Sequence, residues 1–124
     1  MALESALTIA DAARVTGVST HTLRYYERAG LINGVGRADS GHRRYSDQDL
    51  AWIEVLQRLR ATGMPIYRIR RYAELVRAGQ GTEAERLALL REHRDAVLAQ
   101  LAEVRTHLEF IDRKIANYEE TLSR

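Results

Sequence analysis

Two spacings of apolar residues divide this chain. Up to about residue 78 they recur in short runs, each opened by a capping signal and closed by glycine. Beyond residue 82 an alternation of threes and fours continues without a break. In the first short run Ile9, Ala12, Ala13 and Val15 share a helical face, with Thr8 and Asp11 spaced as a capping box. Gly17 supplies the conformation that ends such a helix, and Val18 is placed to plug the corner. Ser19 then starts a second helix carrying Leu23, Tyr26, Ala29 and Gly30. After it, Leu31-Ile32 begins an extended piece, and Gly34, Gly36, Asp39, Ser40 and Gly41 are turn residues. His42-Arg43-Arg44-Tyr45 reads as a returning strand. Ser46 with Asp49 predicts a third helix through Leu50, Ile53, Leu56 and Leu59 to Gly63, its apolar face widened by Trp52 and Val55. Pro65 falls in the first turn of a fourth helix with Ile66, Ile69, Tyr72, Ala73 and Val76, which ends at Gly79-Gln80-Gly81.

The long segment opens at Thr82 and Glu85, read as a helix cap. Its seam positions are Leu87, Leu90, Arg94, Val97, Leu101, Val104, Leu108, Ile111, Ile115, Tyr118 and Leu122, an a/d heptad repeat with a single charged member, Arg94. Neither Pro nor Gly interrupts residues 82–124, so the helix is about 60 Å long at 1.5 Å per residue. An apolar stripe of that length needs a partner, and the simplest is a second copy of the chain. Heptad spacing alone does not set whether the two helices run parallel or antiparallel.

Two short helices joined by a glycine turn form a helix-turn-helix pattern, whose second helix enters a DNA major groove. The Arg-rich hairpin after it forms a wing that lies over the phosphate backbone. The segments TLRYYERAGLI, SGHRRYSDQDL and GMPIYRIR, in this order and spacing, strongly resemble the MerR family of winged helix-turn-helix transcriptional regulators, over roughly the first two-thirds of the chain. The corner from Gly63 to Tyr67 resembles that family's second wing, with Pro65 where many relatives have a small polar cap. The expected fold is mainly α: a winged helix-turn-helix DNA-binding domain over 1–78, followed by a C-terminal dimerisation helix over 82–124. The resemblance implies that this helix forms an antiparallel coiled coil. Only Ser123-Arg124 follow the seam, so the expectation is the short form without a separate effector-binding domain.

Charge sharpens the picture. The net charge is only +2, but residues 1–78 hold 12 Arg against 8 acids (+4), whereas 79–124 hold 7 basic residues against 9 acids (−2). The basic half is the half with the helix-turn-helix, as a phosphate-binding surface requires. Cysteine is absent, which excludes disulfides, thiolate metal sites and thiol-based sensing within this chain. No apolar run reaches membrane-spanning length and no signal-peptide pattern appears, so the expected location is cytoplasmic, with no membrane partner. No nucleophile–base set, metal cluster or phosphate loop appears, so no enzyme, cofactor or metal site is expected.

The first turns of a recognition helix face base edges, which nominates Thr20, His21 and Arg24. Arg24 either grips a guanine through its two acceptors or touches phosphate. Tyr26, three residues after Leu23, belongs to the core, while its neighbour Tyr25 faces out toward phosphate, the role the resemblance also implies. On the returning wing strand Arg43 and Tyr45 share one face as phosphate clamps, and Arg44 projects from the other. Tyr45 has a second reading, packing on the third helix. Tyr67 and Arg68, followed by Arg70 and Arg71, open the fourth helix, whose first amides also suit phosphate; some of these arginines simply face solvent. His93 and His107 both occupy g positions and read as surface histidines, the alternative being a metal or pH switch across the dimer.

The expected function is a sequence-specific transcriptional regulator that binds double-stranded DNA as a homodimer. The resemblance implies a pseudo-palindromic promoter element, distortion of the duplex, and realignment of an over-long promoter spacer for RNA polymerase. An architectural or recombination accessory protein that bends DNA without an effector is the alternative. A small organic effector, where one acts, has to fit between the fourth helix and the coiled coil.

Overall fold

The first three helices each begin at a short polar residue in extended conformation. The Thr8 hydroxyl accepts from the Asp11 amide at 3.2 Å and starts α1 (Ile9–Thr16). Ser19 does the same for α2 (Thr20–Arg28), accepting from the Thr22 amide at 3.1 Å. Both arms of the capping box close at α3 (Asp47–Ala61): Asp49 N–H donates to Ser46 at 3.1 Å and Ser46 N–H to the Asp49 carboxylate at 2.9 Å. Between α2 and α3, β1 (Gly36–Arg37) pairs antiparallel with β2 (Arg43–Arg44), Gly36 opposite Arg44 and Arg37 opposite Arg43. α4 (Ile66–Ala78) and α5 (Glu83–Leu122) complete the order. The computed structural model describes residues 7–32, 36–37 and 43–124, with 36, 37 and 43 given by their backbone alone. The expected turn at Gly34, Asp39, Ser40 and Gly41, with His42, lies outside the described residues.

Helix ends follow equally local rules. Gly17, at φ 77°, closes α1 by donating its N–H to the Ala13 carbonyl at 2.9 Å, a left-handed conformation that a Cβ would strain. α2 stops at Arg28, two residues short of the sequence expectation. Gly30 N–H returns to the Glu27 carbonyl and Leu31 N–H to Tyr26, the paired bonds of a Schellman ending. The same pair recurs after α3, from Gly63 to Arg60 and from Met64 to Leu59. In both endings the following apolar residue, Leu31 or Met64, is buried.

Two expected caps differ. Pro65 stands before α4 as its cap, not inside its first turn, and makes no side-chain cap hydrogen bond. At α5 the Thr82 hydroxyl donates toward the Leu75 and Gly79 carbonyls at the end of α4, both at 2.8 Å, and accepts from the Arg86 Nε–H of its own helix at 3.0 Å. Glu85 pairs with Arg71 at 2.9 Å. These side chains fasten the start of α5 to α4 instead of capping it.

The described residues fall into two compact units that part between Arg86 and Leu87. In the first, Ala12, Leu23, Tyr26, Leu31, Ile53, Leu56 and Ile69 form a core from α1, α2, α3 and α4. Val15, placed on the buried face of α1 by periodicity, is instead 58% exposed near the end of that eight-residue helix. Gln57 of α3 donates to the Thr16 carbonyl at 2.9 Å, and Trp52 stacks on Tyr72 of α4 with ring centroids 5.8 Å apart. The second unit is the helix beyond residue 86. Its seam side chains are open: Leu87, Leu101, Val104, Leu108, Ile111, Ile115 and Tyr118 are exposed, while Leu90 and Val97 are half-buried. No helix among the described residues is long and apolar enough to cross a membrane.

Candidate nucleic-acid interface

The outward face of α2 is polar and carries no acid in its first turn. His21 and Arg24, three apart, share a face and are exposed; Thr20 is half-buried beside them. The helix N-terminus itself favours anions. Tyr25 is half-exposed while Tyr26 is buried, their rings 6.2 Å apart and tilted by 51°. The sequence therefore assigns the two tyrosines their separate sides.

Within the described part of the wing, Tyr45 differs from expectation. Tyr45 is fully buried, so its assignment as a phosphate clamp is overturned in favour of core packing. It does not extend the β1–β2 ladder. It exchanges both backbone hydrogen bonds with Leu7, each 2.7 Å, and immediately precedes the Ser46 cap of α3. That is the position from which a hydrophobic staple turns an apolar side chain onto its helix. Arg44 is half-buried and lies near Asp11. The Asp11 carboxyl is held below the usual carboxylate range, first by its bond to Arg14, then by Thr8, with Arg44 adding to the effect. The side chain of Arg43 lies outside the described residues.

At the start of α4 the Pro65 side chain offers no acceptor and its carbonyl takes the Arg68 and Ile69 amides, so the first-turn amides of Ile66 and Tyr67 are the ones a phosphate can use. Tyr67 is 69% exposed there and Arg68 half-buried. Arg70 and Arg71 turn elsewhere. Arg71 pairs with Glu85, and the Arg70 Nε–H donates to the Ala29 carbonyl at 2.9 Å. Two turns beyond Arg70, the Arg77 Nη1 donates to the Gly30 carbonyl at 3.0 Å. From α3, the Trp52 Nε1–H donates to the Leu31 carbonyl at 2.6 Å. Three successive carbonyls behind α2 are thus each taken by a long side chain from another helix. Sequence reasoning missed this set, since nothing in the spacing of Trp52, Arg70 and Arg77 names a distant carbonyl as the acceptor. Among the described residues no three His, Cys, Asp or Glu side chains gather as metal ligands.

Comparison with known proteins meets this geometry directly. Residues 7–75 match the family model of the MerR HTH family regulatory proteins. An uncharacterised HTH-type transcriptional regulator of Haemophilus influenzae is 41% identical over 112 residues, which cover 90% of this chain and 83% of the relative. The HTH-type transcriptional regulator AdhR of Bacillus subtilis is 38% identical over 92 residues, 74% of this chain and 66% of AdhR. Among solved structures, HiNmlR, a MerR family regulator lacking the sensor domain and bound to promoter DNA, superposes with a TM-score of 0.85 at 40% identity, covering 93% of this chain and 91% of that one. These relatives are regulators and not enzymes, and the match spans the recognition helix, the wing and α4 together. The chain belongs to the MerR family of helix-turn-helix transcriptional regulators.

Proposed function

We propose that this regulator binds a pseudo-palindromic promoter element as a homodimer, residues 1–78 gripping DNA and 82–124 joining the two copies. The observation that carries the reading is the exposed row His21, Arg24 and Tyr25 on α2, in the same unit as the uncapped start of α4 with Tyr67 and Arg68. Thr20, His21 and Arg24 read base edges; Tyr25, Arg43, Arg44, Tyr67 and Arg68 hold phosphates. Two grips on each half-site, one per wing, suit a protein that bends or untwists the duplex between them. The distorted promoter is then offered to RNA polymerase, a reading supported by the promoter DNA bound to HiNmlR. A cytoplasmic location goes with that role.

The second copy is argued from the seam. In a parallel pair each a residue meets itself, which sets Arg94 against Arg94. In an antiparallel pair a meets d, and placing Leu101 opposite the partner's Val104 brings the layers from Leu87 to Tyr118 into register. Leu87 then meets Tyr118, Leu90 meets Ile115, Arg94 meets Ile111, and Val97 meets Leu108. Arg91 comes beside Asp112 in the same register, whereas a shift that centres the pair one half-heptad earlier sets Arg91 against Arg105. Both charge and layer matching favour the antiparallel pair.

Selection of bound sequences from a random DNA pool, followed by affinity measurements at several salt concentrations, tests the reading. The expected outcome is a two-fold symmetric consensus and a steep negative dependence of log K on log salt, about 0.9 per phosphate contacted. A pool that converges on no symmetric sequence overturns it.

A further inference from the structure

Arg70 and Arg77 carry positive charge on the DNA-binding unit, yet both guanidinium groups point to the protein's own backbone. We propose that these two arginines, together with Trp52, are positioning residues for the recognition helix: they tie the C-terminal end of α2 to α3 and α4, so that the base-reading face and the phosphate-binding start of α4 meet DNA as one rigid body. This rests on the DNA-binding reading above.

The chemistry of the acceptors supports the assignment. The last carbonyls of a helix carry the negative end of its dipole, and a cation donating a hydrogen bond to them is favourably placed. Within α2 the Tyr26 and Glu27 carbonyls are closed by the amides of Leu31 and Gly30. Just beyond the helix, Arg70, Arg77 and Trp52 donate in that order to the carbonyls of Ala29, Gly30 and Leu31 at 2.9, 3.0 and 2.6 Å. Arg70 and Arg77 lie seven residues apart, two turns along one face of α4, so a single helix face delivers both donors. Tyr67 and Arg68 lie on the turn just before Arg70. The helix that carries one DNA grip therefore also holds the end of the other. A small rotation of α2 changes the reach of Arg24 to the base edges, and misplacement of about an ångström is enough to lose a bidentate contact.

Arginine is required at position 70 for a reason that separates this role from phosphate binding. Arg70 donates through Nε–H, a group partway along the side chain that lysine does not possess. A lysine there keeps the charge, which suffices for a phosphate, and removes the donor the carbonyl needs. The decisive variant is therefore Arg70→Lys combined with Arg77→Lys, with Trp52→Phe as an uncharged companion that keeps the stack on Tyr72 and removes the bond to Leu31. Two readouts apply to the full chain. The first is affinity for the selected operator as a function of salt; the expected result is about tenfold weaker binding, equivalent to 1.4 kcal/mol, with an unchanged salt slope. Arg68→Ala should by contrast lower the slope by about one unit. The second is amide hydrogen exchange in the absence of DNA, where Gly30, Leu31 and Ile32 should exchange about tenfold faster while α1 is unaltered. Unchanged affinity and exchange in the double lysine variant would overturn the proposal. So would a salt slope reduced in Arg70→Ala with Arg70→Lys binding like the wild type, because that is the signature of a phosphate contact. Should the wild type select no operator at all, the functional reading fails and the exchange measurement alone decides the tie between α2 and α4.

Discussion

Replacing Leu101 by alanine should weaken self-association by about 30-fold. Leu101 is 46% exposed, so roughly half of its surface is left to be covered by a partner. Full burial of a leucine is worth about 1.5–3 kcal/mol, which leaves about 1 kcal/mol for this side chain. A two-fold dimer contains the position twice, and about 2 kcal/mol corresponds to about a 30-fold rise in dissociation constant. The cavity left in a packed seam pushes the effect further in the same direction. Phe110 provides the control. It is 54% exposed, with Arg113 and Lys114 within 6 Å of its ring, but it falls at a c position, between the seam residues Leu108 and Ile111. Exposure alone ranks Phe110 above Leu101, whereas the heptad puts only Leu101 in the interface. Sedimentation equilibrium across nanomolar to micromolar protein measures both variants. The same samples should show operator affinity falling toward half-site affinity in Leu101→Ala, because the second grip loses its tether. Equal effects of Leu101→Ala and Phe110→Ala, or a wild-type chain that stays monomeric at micromolar concentration, would refute the seam as the dimer interface.

Other outcomes follow from the same geometry. In this cysteine-free chain, Leu101→Cys with Val104→Cys should form a covalent dimer on mild oxidation, whereas Leu101→Cys with Leu108→Cys should not; a covalent dimer of the second variant on a non-reducing gel, which a parallel pair gives by setting each a position against itself, breaks the antiparallel register. Arg24→Ala should relax the selected consensus at one base-pair position, by about 1–3 kcal/mol if the contact is bidentate; an unaltered consensus removes its base-reading role. Tyr45→Ala should destabilise the DNA-binding unit by about 3–5 kcal/mol in urea denaturation, as loss of a large buried ring does, and a surface-like effect below about 0.5 kcal/mol would contradict its burial. Asp11 has its pKa lowered by Arg14 and Thr8, so its contribution to stability is present above the unfolded value and is lost as pH falls through the lower folded value. The wild type should accordingly lose more thermal stability than Asp11→Asn between pH 5 and pH 2, and parallel pH curves for the two would disprove the link.

What the sequence made legible was whatever depends on neighbours in the chain. The caps at Thr8, Ser19 and Ser46, the glycine endings at Gly17 and Gly63, and the opposite fates of Tyr25 and Tyr26 are decided within a few residues, and periodicity reads them directly. Strand alternation does not describe Tyr45, because that residue has already left the ladder. Its place just before a capping box, the staple position, was the better signal and was visible in the same letters. Thr82 and Glu85 show the opposite limit. Their spacing is that of a cap, but the carbonyls of α4 and the Arg71 guanidinium are nearer and stronger partners once the chain has turned. Arg70 and Arg77 carry this furthest. A surface arginine on an amphipathic helix has the same sequence context whether it meets solvent, a phosphate or a backbone carbonyl 41 or 47 residues away. Only the packing of α4 against the end of α2 selects among them. The exposed face proposed to read DNA is therefore legible from local pattern, while the side chains that tie α2 to α3 and α4 become visible only in three dimensions.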